Sequence, residues 1–312
     1  MYNRQKLFKH FRRIIIFKRI LFMTTELRVL IIGDFHHKNQ HGCRLMFRNN
    51  PLNCKFGTIN DIDDYENIYS PSEIIDTSNY PNKKFVFGPH FSTFPDNRLL
   101  QLNSRYHNKS IYVQPSEWVV NLWKSMGTES VLPLRTFAFP VDVDRFCPLE
   151  SNVRTKVFIY FKRRNPLELD ALCHYLTQKG VEYVVFDYVK RYNESNYLSY
   201  MQQAKFGVIL DANESQGFAI EEALSCNVPL LVWNTRYMSQ EYGSRYADIP
   251  CSSIPYWDER CGEYFYDLDE LDRTYETFIN KLDTYRPRDY ILDNLTPERC
   301  MARFAELFSA IH

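Results

Sequence analysis

The sequence predicts an α/β chain of two Rossmann-like domains, each built around a parallel sheet. Three observations carry that expectation. The apolar run Glu26–Gly33 (ELRVLIIG) is closed by a glycine and a polar loop, as a buried first strand is. From Val157 onward, short apolar segments alternate with helical ones, the pattern that right-handed β-α-β crossovers require. With 312 residues, 45% of them hydrophobic and 16% aromatic, the chain has core enough for two compact α/β domains or one large one and is too apolar for extended disorder.

The elements follow in order. Residues 1–25 form a basic extension, rich in Lys and Arg and without an acid, around Ile14–Phe17 and Ile20–Met23. Lys18 and Arg19 break the apolar run short of the roughly 20 residues that span a bilayer. The extension reads either as an amphipathic helix making peripheral contact with an anionic membrane surface, or as a leader upstream of a start at Met23. The first domain, 26–148, continues from Glu26–Gly33 with strands at Phe85–Gly88, Ile111–Gln114 and Leu134–Phe139. A helix runs from its N-cap Ser116 to about Met126 and is ended by Gly127. Asn49–Tyr80 is polar and turn-rich and resolves into no element.

After the turn region Pro140–Pro148, the second domain, 149–290, alternates cleanly. It reads as strand Val157–Phe161, helix Pro166–Gln178 ended by Gly180, strand Glu182–Asp187 and helix Asn196–Ala204. Strand Phe206–Leu210, helix Gly217–Cys226 and strand Pro229–Trp233 follow. Leu268–Leu282 and Thr296–Ile311 have helical periodicity, with Pro297 in a tolerated first-turn position. The segment 291–312 is expected to be a C-terminal helix that packs back on the first domain.

Charge excludes some partners. Lys+Arg and Asp+Glu both number 38, so no overall field draws the chain onto nucleic acid, and any anionic ligand must be held locally. The cysteines include no C-x-x-C pair and no zinc-type His spacing. Sequons begin at Asn108, Asn193, Asn213 and Asn294, and a glycan at Asn213 would obstruct the site argued next. Both features favour a reducing, cytoplasmic compartment.

Asn213–Val232 reads NESQGFAIEEALSCNVPLLV. A strand ending at Leu210–Asp211 feeds a short polar loop, and Gly217 then opens a helix. The unpaired N–H groups at such a helix start lie at the carboxyl edge of the sheet, where a diphosphate can accept them. Glu214 lies in the loop and Glu222 about five residues into the helix, roughly 7.5 Å along its axis. Carboxylates pair well with vicinal hydroxyls, so a ribose on one side of the phosphates and a hexose on the other fit this frame.

The segment resembles the retaining GT-B glycosyltransferases of the glycogen-synthase-like group, which carry two glutamates eight positions apart, the second opening an E-A-x-x-x-G-x-P-like string. Glu214, Gly217, Phe218, Glu222, Ala223, Val228 and Pro229 follow it. Asn227 stands where the family has Gly, and Asn tolerates left-handed backbone better than most residues. The resemblance implies two Rossmann-like domains with parallel sheets facing across a cleft. It also implies that Glu214 contacts the donor sugar, that Glu222 contacts the donor ribose, and that the backbone of Gln216, Gly217 and Phe218 holds the diphosphate. Phe139–Pro148 (FPVDVDRFCP) is similar to the family's interdomain turn, and Gln114–Trp118 (QPSEW) to a preceding helix start.

Lys162, Arg163 and Arg164 follow the first strand of the second domain, where the family places cations against the donor phosphates without a metal or other cofactor. Lys162 and Arg163 are carried over as catalytic cations. In the first domain the loop Asp34–Arg44 gathers three histidines. Asp34-x-His36 is similar to the opening of a metallophosphoesterase two-metal site, but the G-D and G-N-H-D/E strings that such a site needs do not occur. In a GT-B chain this loop faces the cleft, which makes Gly33, His41 and Gly42 candidates for the acceptor or donor pocket, with His90 and Asp96 in the same class. The activity implied is transfer of a sugar from a UDP- or GDP-linked donor to a glycan, lipid or protein acceptor. The alternatives are a non-catalytic GT-B-like module that binds nucleotide or glycan, a metal-dependent phosphoesterase, and a sugar-nucleotide epimerase.

Overall fold

The structure, a computed structural model, describes residues 27–49, 53–73, 75–90, 92–95, 109–149, 153–190 and 194–312. The basic extension 1–25, Asp96, and the sequons at Asn108 and Asn193 lie outside them.

The chain forms two compact units. One comprises residues up to Gln114, Trp123–Pro140 and Pro297–His312, and the other Pro115–Leu122 and Val141–Thr296. The main crossing falls at 140/141, ahead of the expected 148/149. The return falls at 296/297, after the expected 290/291.

The first unit begins with β1 (Val29–Ile32), α1 (His37–Phe47), β2 (Cys54–Gly57), β3 (Asn67–Ser70), β4 (Lys84–Phe87) and β5 (Ser110–Gln114). Helix α2 (Glu117–Ser125) contributes residues to both units, and β6 (Leu134–Thr136) completes a six-stranded sheet of order β2-β1-β3-β4-β5-β6. Every pairing in it is parallel. The loop expected at Asp34–Arg44 is therefore a helix from His37 onward. Its buried residues Gly42, Cys43, Met46 and Phe47 share one face, while the polar opening His37–Gln40 masks the period.

The second unit contains β7 (Lys156–Lys162), α3 (Pro166–Gln178), β8 (Val184–Asp187), α4 (Glu194–Met201), β9 (Ala204–Asp211), α5 (Phe218–Ser225), β10 (Leu230–Trp233), β11 (Gly262–Phe265), α6 (Leu271–Asn280) and α7 (Pro287–Asn294). Its sheet runs β11-β10-β9-β7-β8, all parallel. The order reverses between β7 and β9, so the switch point lies at their carboxyl ends. Helix α3 starts because Asn165 accepts from Leu167 N at 3.0 Å, Glu168 closes a capping box and Pro166 occupies the first turn. One face of this sheet buries Val157, Ile159, Phe161, Val208, Leu210 and Leu231 against Leu172, Leu176 and Phe278.

The last helix, α8 (Pro297–Ser309), belongs to the first unit. Its Phe304 lies 6.0 Å from Phe47, 5.1 Å from Tyr69 and 5.4 Å from Phe137, ring centre to ring centre. Lys84 Nζ donates to Phe308 O at 3.0 Å. Among the described residues no helix is long and apolar enough to cross a membrane.

Candidate functional site

The carboxyl ends of β7 and β9 bring the predicted Lys162 and Glu214 together. Lys162 is the last residue of β7 and Asp211 the last of β9, and the two are paired in register. The ammonium of Lys162 donates to Glu214 Oε1 and lies 4.0 Å from Asp211 Oδ2, with 11% of its side chain exposed. Its Nζ also sits 4.8 Å from the centre of the Tyr188 ring. Glu214 is held in place through its backbone: its N donates to Ser252 O at 3.0 Å, and its O accepts from Trp118 Nε1 at 2.8 Å.

The electrostatics follow from one ammonium between two carboxyls. Burial pulls Lys162 down, but the carboxylates of Asp211 and Glu214 outweigh it and hold the ammonium above its ordinary value. Burial pushes Glu214 up, yet Lys162 overrides this and holds its carboxyl below the ordinary value. Asp211, fully buried, is pushed well above its ordinary value by burial, against the pull of Lys162.

The three adjacent bases have three different roles. Arg163 adopts left-handed backbone at φ +55, is half exposed, and lies 3.6 Å from Glu241. Arg164 is buried, grips Glu168 through two bonds of 2.8 and 2.6 Å, and donates to the carbonyls of Asp211 and Trp233 at 3.3 and 3.2 Å. Its guanidinium ties β7, β9, β10 and α3 together.

Gly217 precedes α5 in left-handed conformation, φ +92, and so turns the chain from the β9 loop into the helix. Phe218 opens α5 half-buried, and Glu222 is buried within it. Gln216 is buried, its Nε2 donating to Glu221 Oε2 at 3.0 Å. Glu221 is 1% exposed, its Oε1 has no hydrogen-bond partner, and burial holds its carboxyl well above the usual range. Sequence reasoning passed over Glu221 because Glu222 completes the spacing. It passed over Asp211 because a strand-terminal Asp reads as a turn former. Asn227 is left-handed at φ +59, where it ends α5 and its side chain accepts from Arg288 N at 3.3 Å.

The first-unit candidates are not brought into one cluster by the contacts they make. Gly33 closes β1 at φ +94 beside Ser72 and Glu73. His41 is exposed on α1. Gly42 is buried, and a Cβ there would stand 3.0 Å from Phe139 Cβ and 3.2 Å from Pro140 Cδ, so close packing explains this glycine. His90 packs beside the Tyr112–Trp123 ring pair, at 6.2 and 5.4 Å, and its Nδ1 accepts from Ser92 N at 3.0 Å. Asp34 is exposed, and among the described residues no group of three or more His, Cys, Asp or Glu is placed to hold a metal ion. The expected cap at Ser116 is a backbone one: its carbonyl accepts from Val120 N at 3.1 Å, while its buried hydroxyl makes no hydrogen bond.

No protein-family model and no curated protein matches the chain. Solved structures do. The apo form of the lipopolysaccharide outer core galactosyltransferase WaaB superposes with a TM-score of 0.53 at 10% identity, over 91% of this chain and 99% of that one. The catalytic domain of Starch Synthase IV from Arabidopsis thaliana gives 0.52 at 10% identity, over 89% and 78%. TarM gives 0.48 at 12% identity over 85% of this chain, which spans only 58% of TarM. The likeness in two parallel α/β units identifies the fold of this chain as that of the GT-B glycosyltransferases.

Proposed function

We propose that the chain is a glycosyltransferase that moves a sugar from a UDP- or GDP-linked donor to an acceptor hydroxyl, with retention at the anomeric carbon and without a metal. The observation that carries this reading is the buried Lys162–Glu214 pair at the sheet switch point, beside a helix start turned by left-handed Gly217. Of the solved structures sharing the fold, one is a galactosyltransferase and another a starch synthase domain bound to ADP and acarbose.

Without donor, the ammonium of Lys162 satisfies Glu214. An arriving diphosphate competes for that ammonium at the start of α5, which releases the Glu214 carboxylate to accept from sugar hydroxyls. Glu222 takes the ribose hydroxyls. As the bond from the anomeric carbon to the phosphate oxygen breaks, Lys162 and Arg163 offset the charge left on the nucleotide. The acceptor oxygen bonds to the anomeric carbon on the same face, and its proton passes to the departing phosphate oxygen. Glu214 orients the sugar and forms no covalent bond. The acceptor is a glycan, lipid or protein hydroxyl.

The test is a panel of nucleotide sugars and acceptors assayed for nucleotide release. Glu214→Gln is expected to lower kcat on the order of 100-fold, the scale of one lost transition-state contact. Glu222→Gln should chiefly raise KM, by about tenfold. Wild-type turnover left intact in both variants would overturn the assignment, and saturable nucleotide-sugar binding without turnover would establish a non-catalytic binding module instead.

A further inference from the structure

Between β10 and β11, residues 237–250 fold back on themselves. Tyr237 and Pro250 form an antiparallel bridge, Met238 N donates to Ile249 O at 2.8 Å, and Cys251 N donates to Arg236 O at 3.0 Å. No motif marked this loop in the sequence, yet one of its side chains reaches both arms of the site. Glu241, 15% exposed, accepts from Asn213 Nδ2 at 3.0 Å through Oε2 and lies 3.6 Å from Arg163 Nη1 through Oε1. The next amide, Tyr242 N, donates to Arg163 O at 2.8 Å.

Asn213 precedes Glu214 and Arg163 follows Lys162, so a carboxylate from a third loop grips the neighbour of each member of the central ion pair. The grip matters most at Arg163. Left-handed backbone costs a non-glycine residue about 1–2 kcal/mol, so the conformation persists only where its surroundings hold it. The Tyr242 amide and the Glu241 carboxylate are two such holds.

We infer that Glu241 is a positioning residue for the donor site: it fixes the β7 loop at Arg163 and the β9 loop at Asn213, and thereby the separation of Lys162 and Glu214. The catalytic consequence rests on the function proposed above, whereas the positioning stands on the contacts alone. The experiment therefore has two readouts.

The first is hydrogen exchange at the amides of Tyr242, bonded to Arg163 O, and Glu214, bonded to Ser252 O. Glu241→Ala should speed both about tenfold or more, while Arg245→Ala, a control at an exposed position of the same loop, should speed neither. Exchange equal to wild type at both amides would overturn the inference, whatever turnover does. Glu241→Gln keeps the acceptor for Asn213 and removes the charge facing Arg163. It should restore protection at Glu214 while Tyr242 stays fast, and it keeps the test available should Glu241→Ala fail to fold.

The second readout is a double-mutant cycle on KM for the donor. If Glu241 acts through Arg163, Glu241→Gln added to Arg163→Gln should raise KM no further than Arg163→Gln alone. Additive losses would overturn that route. A wild-type chain that binds no UDP or GDP sugar would overturn the proposed function, and the exchange result would still decide the role of Glu241.

Discussion

A single ammonium facing two buried carboxyls sets the proton count at Lys162, and stability should follow pH accordingly. Glu214 is held below its ordinary 4.5, so its contribution is present above that pH and is lost as pH falls through the lower folded value. Lys162 is held above its ordinary 10.5, so its contribution is present below that pH and fades as pH rises through the higher folded value. Glu221 has the opposite sign to Glu214. The folded chain keeps on Glu221 a proton that the unfolded chain releases above 4.5, so stability declines as pH rises. Glu221→Gln keeps an acceptor for Gln216 and should stabilise the chain by about 1–3 kcal/mol near pH 7, with little effect near pH 4. Urea melts at the two pH values check this, and an equal effect at both would show that the carboxyl is not linked to a proton. The adjacent arginines should separate as sharply. Arg164→Met, which strands Glu168 and two carbonyls, is expected to cost about 3 kcal/mol. Arg163→Met at its exposed site should cost under about 0.5 kcal/mol.

At the scale of elements, two helices make predictions that propensity alone would reverse. Alanine normally outranks glycine inside a helix by about 1 kcal/mol, yet Gly42→Ala should destabilise by about 1–3 kcal/mol. Its Cβ would press on Phe139 Cβ and the Pro140 ring, which have little room to move. A gain in melting temperature would show that α1 can shift. At the other end of α5, Asn227→Ala should cost about 1 kcal/mol because alanine resists φ +59, while Asn227→Gly should be close to neutral. Elements with an internal signal were legible in the sequence: Pro166–Gln178 carries its own cap, first-turn proline and terminal glycine, and its observed limits agree residue for residue. Strands β2, β3 and β11 were not, because β2 and β11 lie at sheet edges, only partly buried and without an apolar run, and β3 opens on the polar Asn67. In the site, the Glu214–Glu222 spacing and the basic strand end were visible locally. That Lys162 meets Glu214 across 52 residues, and that Glu241 holds both loops, are products of sheet register and loop return, which no local pattern encodes.

For the whole molecule, a ligand that binds the folded chain alone should raise its apparent stability by mass action, about 2.7 kcal/mol at a hundred times Kd. The right nucleotide sugar should therefore shift the melting temperature, and its exchange protection should concentrate at 160–164, 211–218 and 241–242. Protection confined to the first unit instead would contradict the proposed donor site. The C-terminal helix α8 carries a consequence for biosynthesis. Phe304 fills the aromatic cluster of Phe47, Tyr69 and Phe137, so the unit translated first lacks a piece of its interior until α8 emerges. At roughly 5–20 residues per second, the intervening 141–296 segment takes on the order of ten to thirty seconds to synthesise. Order of completion is thus inverted relative to order of translation. The later unit can close on itself while the earlier one still lacks the ring that packs on Phe47, Tyr69 and Phe137.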